Sequence, residues 1–118
     1  MAVRTAVVAL VVLSALAAPA AAQSFDCAKA TKPDEVAVCD HRDLADLDVE
    51  MATLWWTIGE LPLAMGARGA AGDDQRDFLK RRAACGGDAG CIEGAYRDRI
   101  SAMKAFVSGA MKDYCRAI

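Results

Sequence analysis

Histidine is nearly missing from this chain of 118 residues; His41 is the only one. A structural zinc site wants four ligands at recognisable spacings, and no Cys-x-x-Cys pair accompanies His41. The same shortage leaves nucleophilic catalysis without a base and an orienter; pairing His41 with Cys115 yields no third member. His41 stands in the charged run Asp40-His41-Arg42-Asp43 and reads as an exposed residue between helices. A basic excess is missing too. Fourteen Lys and Arg face sixteen Asp and Glu, for a net charge of −2, which excludes the basic face that nucleic acid requires. No alternating strand pattern, internal repeat or low-complexity tract appears, so a sheet is not expected. No enzyme, cofactor or metal is expected on these grounds.

Long apolar runs are confined to one. Residues 5–18 follow the positive start containing Arg4, Pro19 breaks the run, and Ala20, Ala21 and Ala22 supply small residues for cleavage. The run is short for a span of roughly 20 residues. Residues 1–22 therefore read as a secretory signal peptide, with a mature domain over 23–118 and no membrane span in it. Loss of Arg4 makes the mature charge −3, which fits a soluble protein that meets a basic partner and is equally what ordinary solubility requires. No cysteine directly follows the small residues, so a lipid anchor on Cys27 is not expected.

What the chain does have is cysteine. All five lie in the exported part, where disulfides are the default, and a domain this small gains from staples. The odd number leaves one thiol over, and four cysteines allow three pairings that the residues alone do not separate. Cys85 and Cys91 flank a corner. Gly86 can take the left-handed conformation that ends one helix, and Asp88 can cap the next. A bridge across that corner and one from Cys27 to Cys39 are both within reach.

Helical periodicity accounts for the rest. A short helix starts around Thr31, Pro33, Asp34 and Glu35. A longer one, capped by Asp40 or Asp43, carries Leu44, Leu47, Met51, Leu54, Ile58 and Leu61 at steps of three and four, and Pro62 stops it. Residues 63–72, with Gly66, Gly69 and Gly72, read as a loop with Arg68 near its tip. A third helix, capped by Asp73 or Asp74, turns Phe78, Leu79, Arg82 and Cys85 to one side. A fourth runs from about Ala89 to about Tyr114, with Ile92, Tyr96, Ile100, Met103, Val107 and Ala110 as its stripe and Gly109 as a fraying point. The expected fold is all-α: a small disulfide-stapled bundle of about four helices in two antiparallel pairs.

Asp48 follows the stripe residue Leu47 and has two readings, a surface aspartate or a partly buried one paired with Arg82 or Arg99. Trp55 and Tyr96 read as core, and Trp56 as a surface aromatic that a partner can use. Arg68 is a second candidate contact, as a positive group on a projecting loop.

These residues resemble a known family. Phe25-Asp26-Cys27-Ala28-Lys29-Ala30, then Glu35 to Cys39, then Leu44-Ala45-Asp46-Leu47-Asp48 resemble the opening of the lysozyme inhibitor LprI-like N-terminal domain. Gln75-Arg76-Asp77-Phe78-Leu79, with Arg82, Cys85, Cys91, Tyr96, Arg99 and Ile100, resemble its second half, so the likeness spans about 25–104. It implies a small secreted or periplasmic helical domain with Cys27 joined to Cys39 and Cys85 to Cys91. It further implies that Asp48, Arg82 and Arg99 are structural. The function expected from it is a protein-binding module that inhibits lysozyme. The alternative is a structural or envelope-associated module with another partner.

Overall fold

The computed structural model describes residues 24–118. The signal-peptide reading of 1–22 concerns residues outside these.

A short 3-10 turn at Cys27–Lys29 is capped by Asp26, whose side chain accepts from the Ala28 N–H at 2.9 Å. Helix α1, Pro33–Asp40, starts on a proline that needs no hydrogen-bond partner there, and Asp34 and Glu35 sit at its positive end. Lys32 takes the capping position in place of the expected Thr31, with no side-chain bond. Helix α2 is Arg42–Glu60. The joint is His41 itself: extended, it ends α1 and begins α2, and its ring Nδ1–H donates to Ala37 O at 2.9 Å. Neither Asp40 nor Asp43 caps α2. Along it, Leu44, Met51 and Ile58 recur every seven residues and are buried, with Leu47 and Leu54 half-buried beside them.

Helix α3, Met65–Ala84, begins well before the expected third helix. Of the expected loop 63–72, only Leu63 and Ala64 lie outside the helix, and Asp73 and Asp74 are interior to it rather than caps. Each glycine costs a helix about 1 kcal/mol relative to alanine. Here the glycines alternate with Ala67, Ala70 and Ala71, the best helix formers, and Ala71 is buried against the core. Arg68 adds a tertiary tie. Its guanidinium donates to Gly59 O at 3.1 Å and to Leu61 O at 2.9 Å, satisfying carbonyls where α2 stops.

The next corner has the expected chemistry. Gly86 has φ of 57°, and Asp88 accepts from the Cys91 N–H at 3.0 Å to open α4, Ala89–Ala117. Gly109 does not end α4, which runs past Tyr114.

The fold is an all-α bundle of four helices, and no strand occurs among the described residues. Its most extensive packing is between α2 and α4. These two run in the same direction: Asp48 meets Tyr96, Glu50 meets Lys104, and Leu61 shares a groove with Phe106 and Ala110. Helix α3 runs back against α4, but the backbones of α2 and α3 scarcely meet, so the parallel α2–α4 packing takes the place of the two main antiparallel pairs expected from the sequence; α1 packs on α2 and reaches α3 and α4. Phe78 and Tyr96 meet in the core with ring centroids 5.2 Å apart and a 60° tilt, an arrangement their ring quadrupoles favour. Trp55 falls outside the core. One step of 100° beyond Leu54 carries it to the flank of α2, where it is 37% exposed.

Both expected disulfides are present, Cys27–Cys39 with Cα atoms 5.9 Å apart and Cys85–Cys91 with 5.6 Å. The first ties the lead-in to α1, and the second clamps the α3–α4 corner. Cys115 is free and exposed near the end of α4.

Candidate functional site

Two carboxylates among the described residues are buried almost without water, Asp34 at 2% exposure and Asp48 at 0%. A buried carboxylate persists only when paired and hydrogen-bonded. Each therefore requires donors from other elements, and the helices supply them. Arg82, on α3, donates Nε–H to Asp34 Oδ2 at 2.8 Å and Nη1–H to the Tyr96 hydroxyl at 3.0 Å. The Tyr96 hydroxyl in turn donates its O–H to Asp48 Oδ1 at 2.7 Å. The lead-in closes the far side of Asp48: Ser24 Oγ donates to Oδ1 at 2.8 Å, and Ser24 N–H donates to Oδ2. Phe25 covers the Arg82 guanidinium, its ring centroid 5.3 Å from Cζ, and Glu35 Oε1 approaches Nη2 at 4.0 Å.

This clasp joins every element: Ser24 from the lead-in, Asp34 from α1, Asp48 from α2, Arg82 from α3 and Tyr96 from α4. Its ionisation states follow from its geometry. Burial raises the Tyr96 pKa well above its ordinary value, the Asp48 charge raises it further, and Arg82 opposes both more weakly. The hydroxyl therefore keeps the proton it donates. Burial pulls the Arg82 pKa down, but Tyr96 and Asp34 more than offset that, so the guanidinium stays charged. The cluster holds charges in fixed positions. Its side chains are satisfied by one another.

Asp48 and Arg82 are brought together, with Nη1 and Oδ1 3.8 Å apart, and the closer link between them runs through the Tyr96 hydroxyl. Arg99 is not part of this pairing. Its Nε donates to Gln75 Oε1 at 3.1 Å, between α3 and α4. Periodicity places Tyr96 in the core but does not name Asp34 or Tyr96 as partners in the clasp. Asp34 looks like a first-turn carboxylate, and nothing local says that α1 turns it inward. Tyr96 carries a usable signal: a tyrosine in an apolar stripe must bring its hydroxyl to a partner.

On the surface, Trp56 is 68% exposed on α2. Asp43 and Asp46 are exposed on the same helix, and Glu50 is bridged to Lys104 on α4. Arg68, expected as a projecting positive group, is instead engaged with the α2 carbonyls. An apolar groove of about 810 Å³ lies between the α2–α3 connection and the last turns of α4, lined by Leu61, Leu63, Ala67, Phe106, Ala110 and Tyr114 among others. Among the described residues no cluster of three or more His, Cys, Asp or Glu is placed to hold a metal ion. No helix there is long and apolar enough to cross a membrane. The chain matches no family model, no curated protein and no solved structure.

Proposed function

We propose that the chain is a protein-binding module outside the cytoplasm, of the LprI-like kind, that meets a basic partner through the outward surface of α2. Its function is binding, without catalysis. The observation that carries this reading is Trp56: a large aromatic, 68% exposed, on a helix whose opposite face is locked into the core. Tryptophan on a rigid support is the side chain that most often anchors a protein interface. The exposed Asp43 and Asp46 on the same helix steer a cationic partner by raising its rate of encounter. The two disulfides suit an oxidising compartment.

Lysozyme is the partner to test first, on the strength of the resemblance. A lysozyme works with two carboxylates in a groove, and a blocker must cover or fill that groove. An inserted Arg68 loop does not provide the plug, because Arg68 is on α3 and holds the end of α2. Inhibition here means covering the cleft with the Trp56 surface. The engagement of Arg68 equally favours the second reading, an envelope-associated module whose partner is a different protein. A turbidity assay of cell-wall lysis with the oxidised protein and with Trp56→Ala separates them. Inhibition at micromolar protein that Trp56→Ala weakens at least tenfold supports the first. Absence of inhibition, with an envelope protein captured by the wild type and released by Trp56→Ala, supports the second. Binding to either that is indifferent to Trp56→Ala discards the α2 surface.

A further inference from the structure

The backbones of α2 and α3 scarcely meet, and a groove of about 330 Å³ lies between the two helices. Trp55 of α2 and Leu79 of α3 line it from the two sides, with Phe25 of the lead-in, Glu35 of α1 and Arg82. Trp55 and Leu79 are both exposed, so the apolar walls reach the surface.

The charges at this groove do not cancel. Arg82 is one cation among three carboxylates: Asp34 at 2.8 Å, Asp48 at 3.8 Å and Glu35 at 4.0 Å. Among the described residues no other Lys, Arg or His bridges any of the three. Lys32, three residues before Glu35, is exposed and forms no bridge with it. Three negative charges against one positive leave the groove negative. Asp34 and Asp48 are sealed from solvent and act on a ligand only through their field, which the low-dielectric interior screens weakly. Glu35 is the member that a ligand can reach, with its side chain 22% exposed. Its carboxylate accepts no hydrogen bond among the described residues, yet neither oxygen is among the buried unpartnered atoms, so both oxygens are open to solvent.

We infer that this groove receives a basic side chain, lysine or arginine, of the partner proteins proposed above, with its cationic head at Glu35 and its aliphatic stem between Trp55 and Leu79. The inference rests on the reading of a basic partner and names the side chain that such a partner inserts. Lysine and arginine suit the groove because each carries an apolar stem that packs on apolar walls and a charged tip. Trp55 adds a second attraction, since the indole face is the best aromatic partner for a cation. An acidic side chain is repelled by the same surplus charge, and a neutral apolar one gains the walls alone. Arg82 does not take the place of the ligand, because Asp34 and the Phe25 ring already hold its guanidinium. Trp56 is the next residue along α2, so the groove and the exposed indole fall within one partner's footprint.

The test is an NMR titration of the oxidised protein at constant ionic strength, read at the Trp55 indole N–H. The probes are the N-acetyl N-methylamides of lysine, arginine and norleucine, the last a neutral match to the lysine stem. The expected result is a saturable shift with lysine or arginine, at least fivefold weaker with norleucine. Tighter binding of one cation assigns that side chain; equal binding assigns a basic side chain of either kind. Glu35→Gln is expected to weaken the cationic probes at least fivefold, and Asp98→Asn, at an exposed position on α4, to leave them unchanged. If Glu35→Gln unfolds, the contrast of lysine with norleucine in the wild type decides alone. The titration contains no partner protein, so it succeeds or fails apart from the reading of the Trp56 surface. Partner capture that is lost in Trp56→Ala but kept in a folded Glu35→Gln discards the groove and leaves that surface standing. No saturable shift with either cation, a norleucine shift as strong as the lysine one, or undiminished binding by a folded Glu35→Gln overturns the proposal.

Discussion

The Tyr96 hydroxyl donates to Asp48 at 2.7 Å while it accepts from Arg82 at 3.0 Å, so one phenol spaces a buried cation from a buried anion. Without it, Arg82 and Asp48 are left 3.8 Å apart, in reach of attraction but beyond a hydrogen bond. Tyr96→Phe keeps the ring packed on Phe78 and removes only the oxygen. The expected cost is about 1–3 kcal/mol, the penalty for leaving buried polar groups short of a partner. Urea unfolding of the two proteins measures it, and an unchanged midpoint would show that Asp48 and Arg82 are satisfied without the phenol.

Asp34 is the firmer partner of Arg82, at 2.8 Å with both side chains buried. Replacing one member of a buried pair leaves the other uncompensated, so Asp34→Ala is expected to cost about 3–5 kcal/mol. Asp77→Ala, at an exposed bridge on the same helix as Arg82, is expected to change stability by under about 1 kcal/mol. Thermal melts of the two variants side by side check the contrast.

Alkaline pH acts on the same cluster. Folding raises the Tyr96 pKa, through burial first and Asp48 second, so the folded chain holds this proton more tightly than the unfolded chain. The stability it contributes is whole below the unfolded value of about 10 and is lost as pH rises from there towards the folded value. Urea midpoints are expected to fall above about pH 10 in the wild type, more steeply than in Tyr96→Phe. Parallel alkaline limbs in the two proteins would remove Tyr96 as the cause.

The glycines of α3 give a prediction that separates helix from loop. A Cβ added at Gly66 or Gly69 meets nothing within 4 Å. In a helix, Gly66→Ala and Gly69→Ala each stabilise by up to about 1 kcal/mol. In a loop that needs left-handed backbone they destabilise. Paired melting curves decide the sign.

These positions also show where reading the chain by itself succeeds and where it stops. The corner at Gly86 and Asp88, the disulfide across it and the stripe of α4 are local: each is set by residues within a turn or two of one another. The start of α3 is not local. Gly66, Gly69 and Gly72 argue for a loop on propensity, and the outcome is reversed by Ala71 in the core and by Arg68 reaching back to α2. The clasp is half legible. Asp48 beside an apolar stripe signals a buried charge, but its partners lie 24 residues before it and 48 after it, at Ser24 and Tyr96. Arg99 is a plausible partner by helix geometry, and Gln75 takes it instead.

Reduction tests how the lead-in is held. Cys27–Cys39 fixes the segment that carries Ser24 and Phe25 onto the clasp. In the chain-entropy picture its loss costs roughly 3 kcal/mol, against roughly 2 for the shorter Cys85–Cys91 loop. The double replacement Cys27→Ala and Cys39→Ala is expected to lower the melting temperature more than Cys85→Ala with Cys91→Ala. The reverse order would show that the corner, and not the lead-in, is the weaker point.

The most direct measurement of the clasp as the centre of this fold is a double-mutant cycle on Asp48→Asn and Tyr96→Phe, read by urea unfolding. Residues that share one buried hydrogen-bond network couple by about 0.5–3 kcal/mol. The expected coupling lies in the upper half of that range, with the double variant little worse than either single one. Strictly additive losses would contradict it and would make Asp48 and Tyr96 two separate buried groups.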